Sequence, residues 1–157
     1  MQEQKLAFIQ KDFFLLLNGI NAATPAKWGK MNAQQMIEHV TAFFNVSTGK
    51  IKFDLVTPEE HLPKFKEFLL SDKQFRENTK APASVIGEEA LPLQYNTYEE
   101  ALAKLHEAVD EFVEFFKNDP GKLTTHPVFG PLNFEEWILL HYKHVTHHLR
   151  QFAVDIA

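Results

Sequence analysis

Apolar residues recur at steps of three and four along four long segments of the chain, and this period restricts the fold more than any other feature. Because an α-helix advances 3.6 residues per turn, residues spaced in this way share one face of a helix. The first segment should end as a helix near Gly19 to Asn21. Its apolar face comprises Leu6, Ile9, Phe13, Leu16, Leu17 and Ile20. No alternation of apolar and polar residues indicates a strand, so we expect a chain built from helices.

The other three segments begin with residues that cap helices. Asparagine and threonine side chains accept hydrogen bonds from the first free N–H groups of a helix, and a Glu or Gln three residues later completes a reciprocal pair. Such pairs predict the starts of the second, third and fourth helices. They are Asn32 with Gln35, Thr97 with Glu100, and Asn133 with Glu136.

Four amphipathic helices in a chain of 157 residues predict an all-α fold, a single four-helix bundle domain over residues 1–157. The link between the second and third helices, roughly Lys50 to Asn96, is too long for a hairpin and should be a crossover. Thr57 and Pro58 suit an N-cap and a first helical position, which predicts a short helix to about Leu70. The remainder should be an ordered loop over the surface or the mouth of the bundle. Its helix-breaking residues are Pro82, Gly87 and Pro92.

Composition excludes several classes of partner and site. The formal charge of −5 is spread along the chain, so no basic stripe is present to neutralise the phosphates of a nucleic acid. The absence of cysteine excludes disulfides and thiolate metal sites. Glu3 and Asp12 interrupt the region where a signal peptide would be apolar, and the apolar run from Phe13 to Leu17 is too short to cross a membrane. We therefore expect a cytoplasmic protein.

Histidines in the fourth helix predict a metal site. Half of the eight histidines lie between Trp137 and Gln151, and His144 and His148 are one helical turn apart on one face. A histidine pair at this spacing often arises by chance on a helix surface. A third histidine, His39, lies on the apolar face of the second helix, where a neutral imidazole needs a buried partner. Three imidazoles around one ion would supply that partner and leave coordination positions open, as catalytic sites do.

Other polar residues near these histidines have two interpretations. His141, one turn before His144, could line a cavity as an acid, a base or a hydrogen-bonding support for a ligand. Gln35 and Gln151, each near one turn from a candidate ligand, could support the ligands in the same way, or could be ordinary helix-surface glutamines. His147 points about 100° away from the pair and should pack or meet solvent. The remaining three are expected in a turn or at the surface, and they are His126, His61 and His106.

The order and spacing of several short motifs resemble a known family. They are Trp28-Gly29-Lys30-Met31, Gln35 with His39, His126-Pro127-Val128-Phe129-Gly130, Trp137, and His144 to Phe152. Over the whole chain this pattern is similar to the DinB/YfiT-like metalloenzyme superfamily, in particular a subfamily classed as a domain of unknown function. The resemblance implies a four-helix bundle whose metal is bound by His39, His144 and His148. It also implies a divalent ion and, in some relatives, activation of low-molecular-weight thiols or hydrolase activity, without action on DNA.

Two classes of function follow. In the first, the chain is a divalent-metal-dependent enzyme, a thiol-dependent transferase or a hydrolase acting on a small molecule, with zinc or nickel as the expected ion. In the second, it is a non-catalytic helical bundle that binds a small apolar ligand or a protein partner; a homodimer is compatible with either. If the three ligands keep the usual histidine pKa near 6.5, metal affinity should fall sharply between about pH 7 and pH 5.

Overall fold

A computed structural model describes residues 2–77 and 91–156, which are mostly helical. The first helical segment consists of α1 (Glu3–Ala7), a π-helical turn (Phe8–Asp12) and α2 (Phe13–Leu17). It ends at Leu17, slightly earlier than the period predicts, because the next three N–H groups bond to carbonyls three residues back and tighten the chain into a turn. Ile9, Phe13 and Ile20 of the predicted apolar face are buried.

The capping pairs define the other long helices. They are α3 (Ala33–Ser47), α5 (Tyr98–Lys117) and α6 (Phe134–Gln151). Both asparagine boxes are complete, so α3 and α6 begin where the sequence predicts. In α5 the Thr97 hydroxyl accepts from the Glu100 N–H, but the Glu100 carboxylate accepts from the N–H of Asn96 instead of that of Thr97. The pair at α5 is therefore only half of a capping box.

Buried phenylalanines hold the long helices together. Phe44 of α3 lies 5.7 Å from Phe112 of α5, between ring centroids, and Phe112 lies 5.3 Å from Phe134 of α6. Phe13 of α2 belongs to the same buried cluster. Burying such rings supplies a large share of the driving force for folding. Among the described helices, none combines the length and the apolar character that a membrane crossing requires.

The link between α3 and α5 contains the predicted short helix, α4 (Leu62–Leu70), which follows a 3-10 turn (Glu59–His61). Its start differs from the prediction, because Thr57 does not cap it. The Thr57 hydroxyl instead donates to the carbonyl of Val128. Of the residues expected to form the rest of the loop, Pro82 and Gly87 lie outside the described residues.

A small sheet contradicts the expectation that the chain has no strands. β1 (Thr124–His126) pairs antiparallel with β2 (Gly130–Leu132), with Thr124 opposite Leu132 and His126 opposite Gly130. Strands of three residues are too short to show an alternating period, which explains why the sequence pattern misses them. Gly130 has φ +83°, a conformation that favours glycine.

Candidate metal centre

Three histidine side chains from α3 and α6 converge. The Nε2 atom of His144 lies 3.0 Å from the Nε2 atom of His39 and 3.0 Å from that of His148. His144 and His148 share a face of α6 through their four-residue spacing, and His39 faces them from α3. The expected proximity of His39 to the α6 pair is confirmed. Because nitrogens bound to one ion at about 2.1 Å can be at most about 4.2 Å apart, these two separations suit a shared metal ion.

The converging rings lie largely out of solvent. His148 is almost fully buried, His39 is buried and His144 is partly buried. Phe43 packs edge-on against both His39 and His144, with ring centroids 5.2 Å and 5.3 Å apart. These three histidines form a group whose spacing and burial could hold a metal ion.

Burial makes the converging histidines weak bases. It lowers the pKa of His39 to about 4, with a smaller contribution from the nearby His147. Burial also holds the pKa of His144 and of His148 well below the usual range, and neighbouring histidines add to the effect. At His148 the hydrogen bond to Gln151 acts in the opposite direction. All three imidazoles are therefore neutral at pH 7, the state in which they can bind a metal.

These pKa values change the pH dependence that the sequence predicts. The expected loss of affinity between pH 7 and pH 5 rested on an unperturbed pKa near 6.5. Because burial lowers the pKa of His39 to about 4 and those of the other two well below 6.5, protons compete poorly for these nitrogens in that range. Metal affinity should instead stay nearly constant down to about pH 5.

Gln151 supports His148 directly. Its Oε1 atom lies 2.7 Å from Nδ1 of His148, and its Nε2 atom donates to the carbonyl of Trp28 at 3.0 Å. The side chain is fully buried. Of the two glutamines considered as supports for the ligands, Gln151 therefore has the contact that this role requires.

Gln35 lines the small cavity beside His39 described below, but its side chain does not support that histidine. Its Oε1 atom accepts from the N–H of Asn32 in the capping box, and its Nε2 atom donates to the carbonyl of Leu91. Both ends of the amide are thus bonded to backbone groups, and neither is bonded to His39. Gln35 caps α3 and anchors the chain that precedes α5.

His141 lies in the aromatic core. Its ring stacks on Phe44 at 3.9 Å and on Trp137 at 5.3 Å, between centroids, and it is fully buried. Its Nε2 atom has no hydrogen-bond partner among the described residues. Burial holds its pKa well below the usual range. His141 therefore packs beside the site as a neutral ring and does not line the cavity described below.

The other histidines lie where the sequence suggests, with one refinement. His147 is buried and packs against Trp28 and Phe75, so it does not meet solvent. Nδ1 of His126 accepts from the N–H groups of Val128 and Phe129, which confirms its role in a turn. The two exposed histidines are His61 and His106.

A small cavity adjoins His39. Its volume is about 40 Å³, room for one or a few water molecules. Met31 and Ala42 supply apolar wall, and Glu38 supplies a carboxylate. The wall also includes Leu91 and Pro92 from the chain that precedes α5, which agrees with the expected position of Pro92 at the mouth of the helices.

Sequence reasoning missed Glu38. Its carboxylate accepts from the N–H of Gln94 at 2.8 Å and of Tyr95 at 3.3 Å, and from the amide of Gln34 at 3.1 Å. These bonds fasten the chain before α5 to α3, one residue from His39. In the sequence Glu38 is indistinguishable from a solvated helix-surface residue, because the backbone N–H groups that it binds lie more than 50 positions away.

Comparison with known proteins assigns most of the chain to one family. A family model described as "Protein of unknown function (DUF1569)" matches residues 15–155. No curated protein and no solved structure gives a significant match. The matched range contains the three converging histidines and Gln151. The chain therefore belongs to the DUF1569 family of proteins of unknown function.

Proposed function

We propose that this protein is a divalent-metal-dependent enzyme of the DinB/YfiT-like superfamily, in which His39, His144 and His148 bind the ion. The long helical segments would then form the four-helix bundle of that superfamily. One observation carries the proposal: imidazole nitrogens from two helices converge to 3.0 Å inside a helical core. Without an ion, this arrangement buries imidazole groups that hydrogen bonds satisfy only in part, which costs stability.

The donor set favours zinc or nickel. The three donors are neutral nitrogens, which suit borderline ions better than magnesium or calcium, since those prefer oxygen. No thiolate is available in a chain without cysteine. Three protein ligands also leave coordination positions open for a substrate, as in catalytic zinc sites.

The proposed reaction is a thiol-dependent transfer or a hydrolysis of a small molecule. A divalent ion bound by these histidines lowers the pKa of a thiol or of water, so that it can be deprotonated near neutral pH. The histidines hold the ion, and the cavity beside His39 admits a group the size of water or a thiol. Met31 and Ala42 give this approach an apolar side that limits the access of bulk water.

The side chains around the cavity favour the transferase over the hydrolase. Hydrolysis benefits from a general base close to the attacking water. The Glu38 carboxylate in the cavity wall already accepts hydrogen bonds from the backbone N–H groups of Gln94 and Tyr95. These bonds fasten the chain before α5 to α3. A thiol deprotonated at the ion needs no such base. The proposed partner is therefore a low-molecular-weight thiol, together with a small substrate in the cytoplasm.

The cavity does not support the alternative function, in which a non-catalytic bundle binds a small apolar ligand. Sites for drug-sized apolar ligands usually enclose roughly 300 Å³ or more. The cavity that the described residues form beside His39 holds about 40 Å³, far below that size.

Metal analysis of protein purified without an affinity tag tests the proposal. We expect about one zinc or nickel ion per chain in the wild type. His148→Ala should lower the metal affinity by more than about 100-fold, which is the upper end of the loss seen when a residue that only supports a ligand is removed. His147→Leu is the matched control, because it removes the adjacent buried imidazole but keeps most of its volume. A wild-type protein that contains no metal and binds no added zinc or nickel would refute the proposal. Equal losses in the two variants would also count against these ligands.

Thiol use is tested separately with cobalt-loaded protein. Addition of a small thiol such as 2-mercaptoethanol should produce a sulfur-to-cobalt absorption band in the wild type. His148→Ala at the same cobalt concentration should give no such band. A cobalt site that shows no change at millimolar thiol would favour hydrolysis over thiol transfer.

A further inference from the structure

A buried amide connects one histidine of the candidate site to the protein backbone. Gln151 is 0% exposed, and its side chain lies between the carbonyl oxygen of Trp28 at 3.0 Å and Nδ1 of His148 at 2.7 Å. Each end of the amide thus has one partner. The orientation of this amide determines which nitrogen of His148 carries the proton.

The Trp28 carbonyl determines that orientation. A carbonyl oxygen can only accept a hydrogen bond, so the NH₂ group of Gln151 must face it. The Oε1 atom of Gln151 then faces His148 and can only accept, so Nδ1 of His148 must be the protonated nitrogen. We propose that the Trp28 carbonyl, acting through the Gln151 amide, holds His148 in the tautomer whose Nε2 lone pair is free to bind a metal ion. Gln151 is thus a positioning residue, and its benefit for metal binding rests on the proposed function.

A backbone hydrogen bond and a ring contact also fix the position of Trp28 relative to Gln151. The backbone N–H of Lys27 donates to the backbone carbonyl of Gln151 at 2.7 Å, beside the side-chain bond to Trp28. The Trp28 ring packs against His147, with centroids 5.5 Å apart. Rotation of the amide by 180° would place its oxygen against the Trp28 carbonyl oxygen and lose that buried hydrogen bond, whichever tautomer His148 adopts. The amide therefore has one stable orientation.

The tautomer of His148 constrains the tautomer of His144. Nε2 of His148 carries a lone pair and lies 3.0 Å from Nε2 of His144. For this contact to be a hydrogen bond in the metal-free protein, the proton must belong to Nε2 of His144. A metal ion needs the lone pair on both atoms. His144 would then move its proton to Nδ1 when metal binds, whereas His148 would keep the same tautomer.

Nitrogen-15 NMR of metal-free, histidine-labelled protein at neutral pH tests the tautomer directly. Two-bond proton–nitrogen correlations distinguish a protonated from an unprotonated ring nitrogen. We expect His148 to show a protonated Nδ1 and an unprotonated Nε2. An Nε2–H tautomer, or a mixture of the two tautomers, in the wild type would overturn the proposal. This measurement needs no metal, so its result is independent of whether the protein binds one.

Variants test the role of the amide. Gln151→Leu keeps most of the volume but removes the acceptor, so we expect a mixture of His148 tautomers and a 10- to 100-fold loss of zinc affinity. Gln151→Glu retains an acceptor for Nδ1–H and should retain the tautomer. A pure Nδ1–H tautomer in folded Gln151→Leu would overturn the role given to the amide. If Gln151→Leu does not fold, the spectra of the wild type and of Gln151→Glu show whether an acceptor at position 151 sets the His148 tautomer.

Gln34 supplies the matched control. It is also a buried glutamine whose Nε2 atom donates to a backbone carbonyl, that of Tyr95 at 2.8 Å, but its side chain is hydrogen-bonded to none of the converging histidines. Gln34→Leu should lower stability yet leave the His148 tautomer unchanged. A tautomer change in Gln34→Leu as large as that in Gln151→Leu would show that general loosening of the helices, and not the Gln151 amide, controls the ring. If zinc fails to bind to a wild type with the expected tautomer, only the proposed function fails.

Discussion

His148 and His39 offer the same nitrogen to the candidate site, but α6 and α3 hold them in different ways. Nδ1 of His148 is hydrogen-bonded to Gln151, which is itself bonded to Trp28. Nδ1 of His39 is buried and has no hydrogen-bond partner among the described residues. The His39 ring is held by contact with Phe43 instead. One of these histidines is thus oriented by hydrogen bonds, and the other by packing.

This difference indicates where the metal-free protein loses stability. A buried polar atom without a partner costs roughly 1–3 kcal/mol. His39 carries such an atom between Met36 and Val40, which are apolar and fully buried. An apolar residue would suit that position better if stability alone mattered. The proposed role of His39 in metal binding would explain a histidine there.

The largest predicted effect is on the pH dependence of stability, and it comes from His126. This buried histidine is hydrogen-bonded like His148 but lies outside the site. Burial lowers its pKa to about 3, against about 6.5 in an unfolded chain. Between these values the unfolded state binds a proton that the folded state does not. The free energy of unfolding should therefore fall as pH falls below about 6.5, by about 1.4 kcal/mol per pH unit from this residue.

His126→Asn tests this contribution. Asparagine can still accept from the N–H groups of Val128 and Phe129 but does not titrate. Urea unfolding at pH 6, 5 and 4 should show a shallower loss of stability in the variant, by roughly 1.4 kcal/mol per unit. Parallel pH profiles for the two proteins would show that His126 is not the neutral, buried group described here.

Replacement of His148 and of His39 by leucine should have unequal effects on the metal-free protein. His148→Leu leaves Oε1 of Gln151 buried without its partner, which should lower the free energy of unfolding by roughly 1–3 kcal/mol. His39→Leu removes a buried unpaired nitrogen, so its stability should equal or exceed that of the wild type. Urea denaturation in the presence of a chelator measures both. Equal destabilisation would contradict the distinction between the two sides of the site.

The smallest predicted effect is that of metal removal on the fold. α3 and α6 each begin with a complete capping box, and the buried rings that join the helices do not depend on an ion. Helical circular dichroism should therefore be nearly unchanged by a chelator at room temperature. Unfolding on chelation would mean that an ion, more than packing, joins the two helices, as in a zinc finger.

The sequence was sufficient to predict the helices that carry the site. Capping pairs and the 3.6-residue period are local signals, and they predicted the starts of α3 and α6. The four-residue spacing of His144 and His148 is local as well. The position of His39 on an apolar face then indicated that it points inward. These three facts were enough to predict that the imidazoles would meet.

The supporting contacts could not be predicted, because they join residues far apart in the chain. Gln151 and Trp28 are separated by 123 positions, and Glu38 and Gln94 by 56. No periodicity indicates such pairs. The sheet of β1 and β2 was missed for the opposite reason, since each strand has only three residues and gives too little pattern.

Calorimetric titration of zinc into metal-free protein tests the central claim, which is that the two helices share one ion. The wild type should bind about one ion per chain. His39→Ala changes α3 only and leaves the histidine-rich α6 intact, so a marked loss of affinity in this variant would show that the site spans both helices. His147→Leu, which keeps all three proposed ligands, should bind nearly as the wild type does. If His39→Ala binds zinc as tightly as the wild type, α6 alone accounts for the binding and the three-histidine site is wrong.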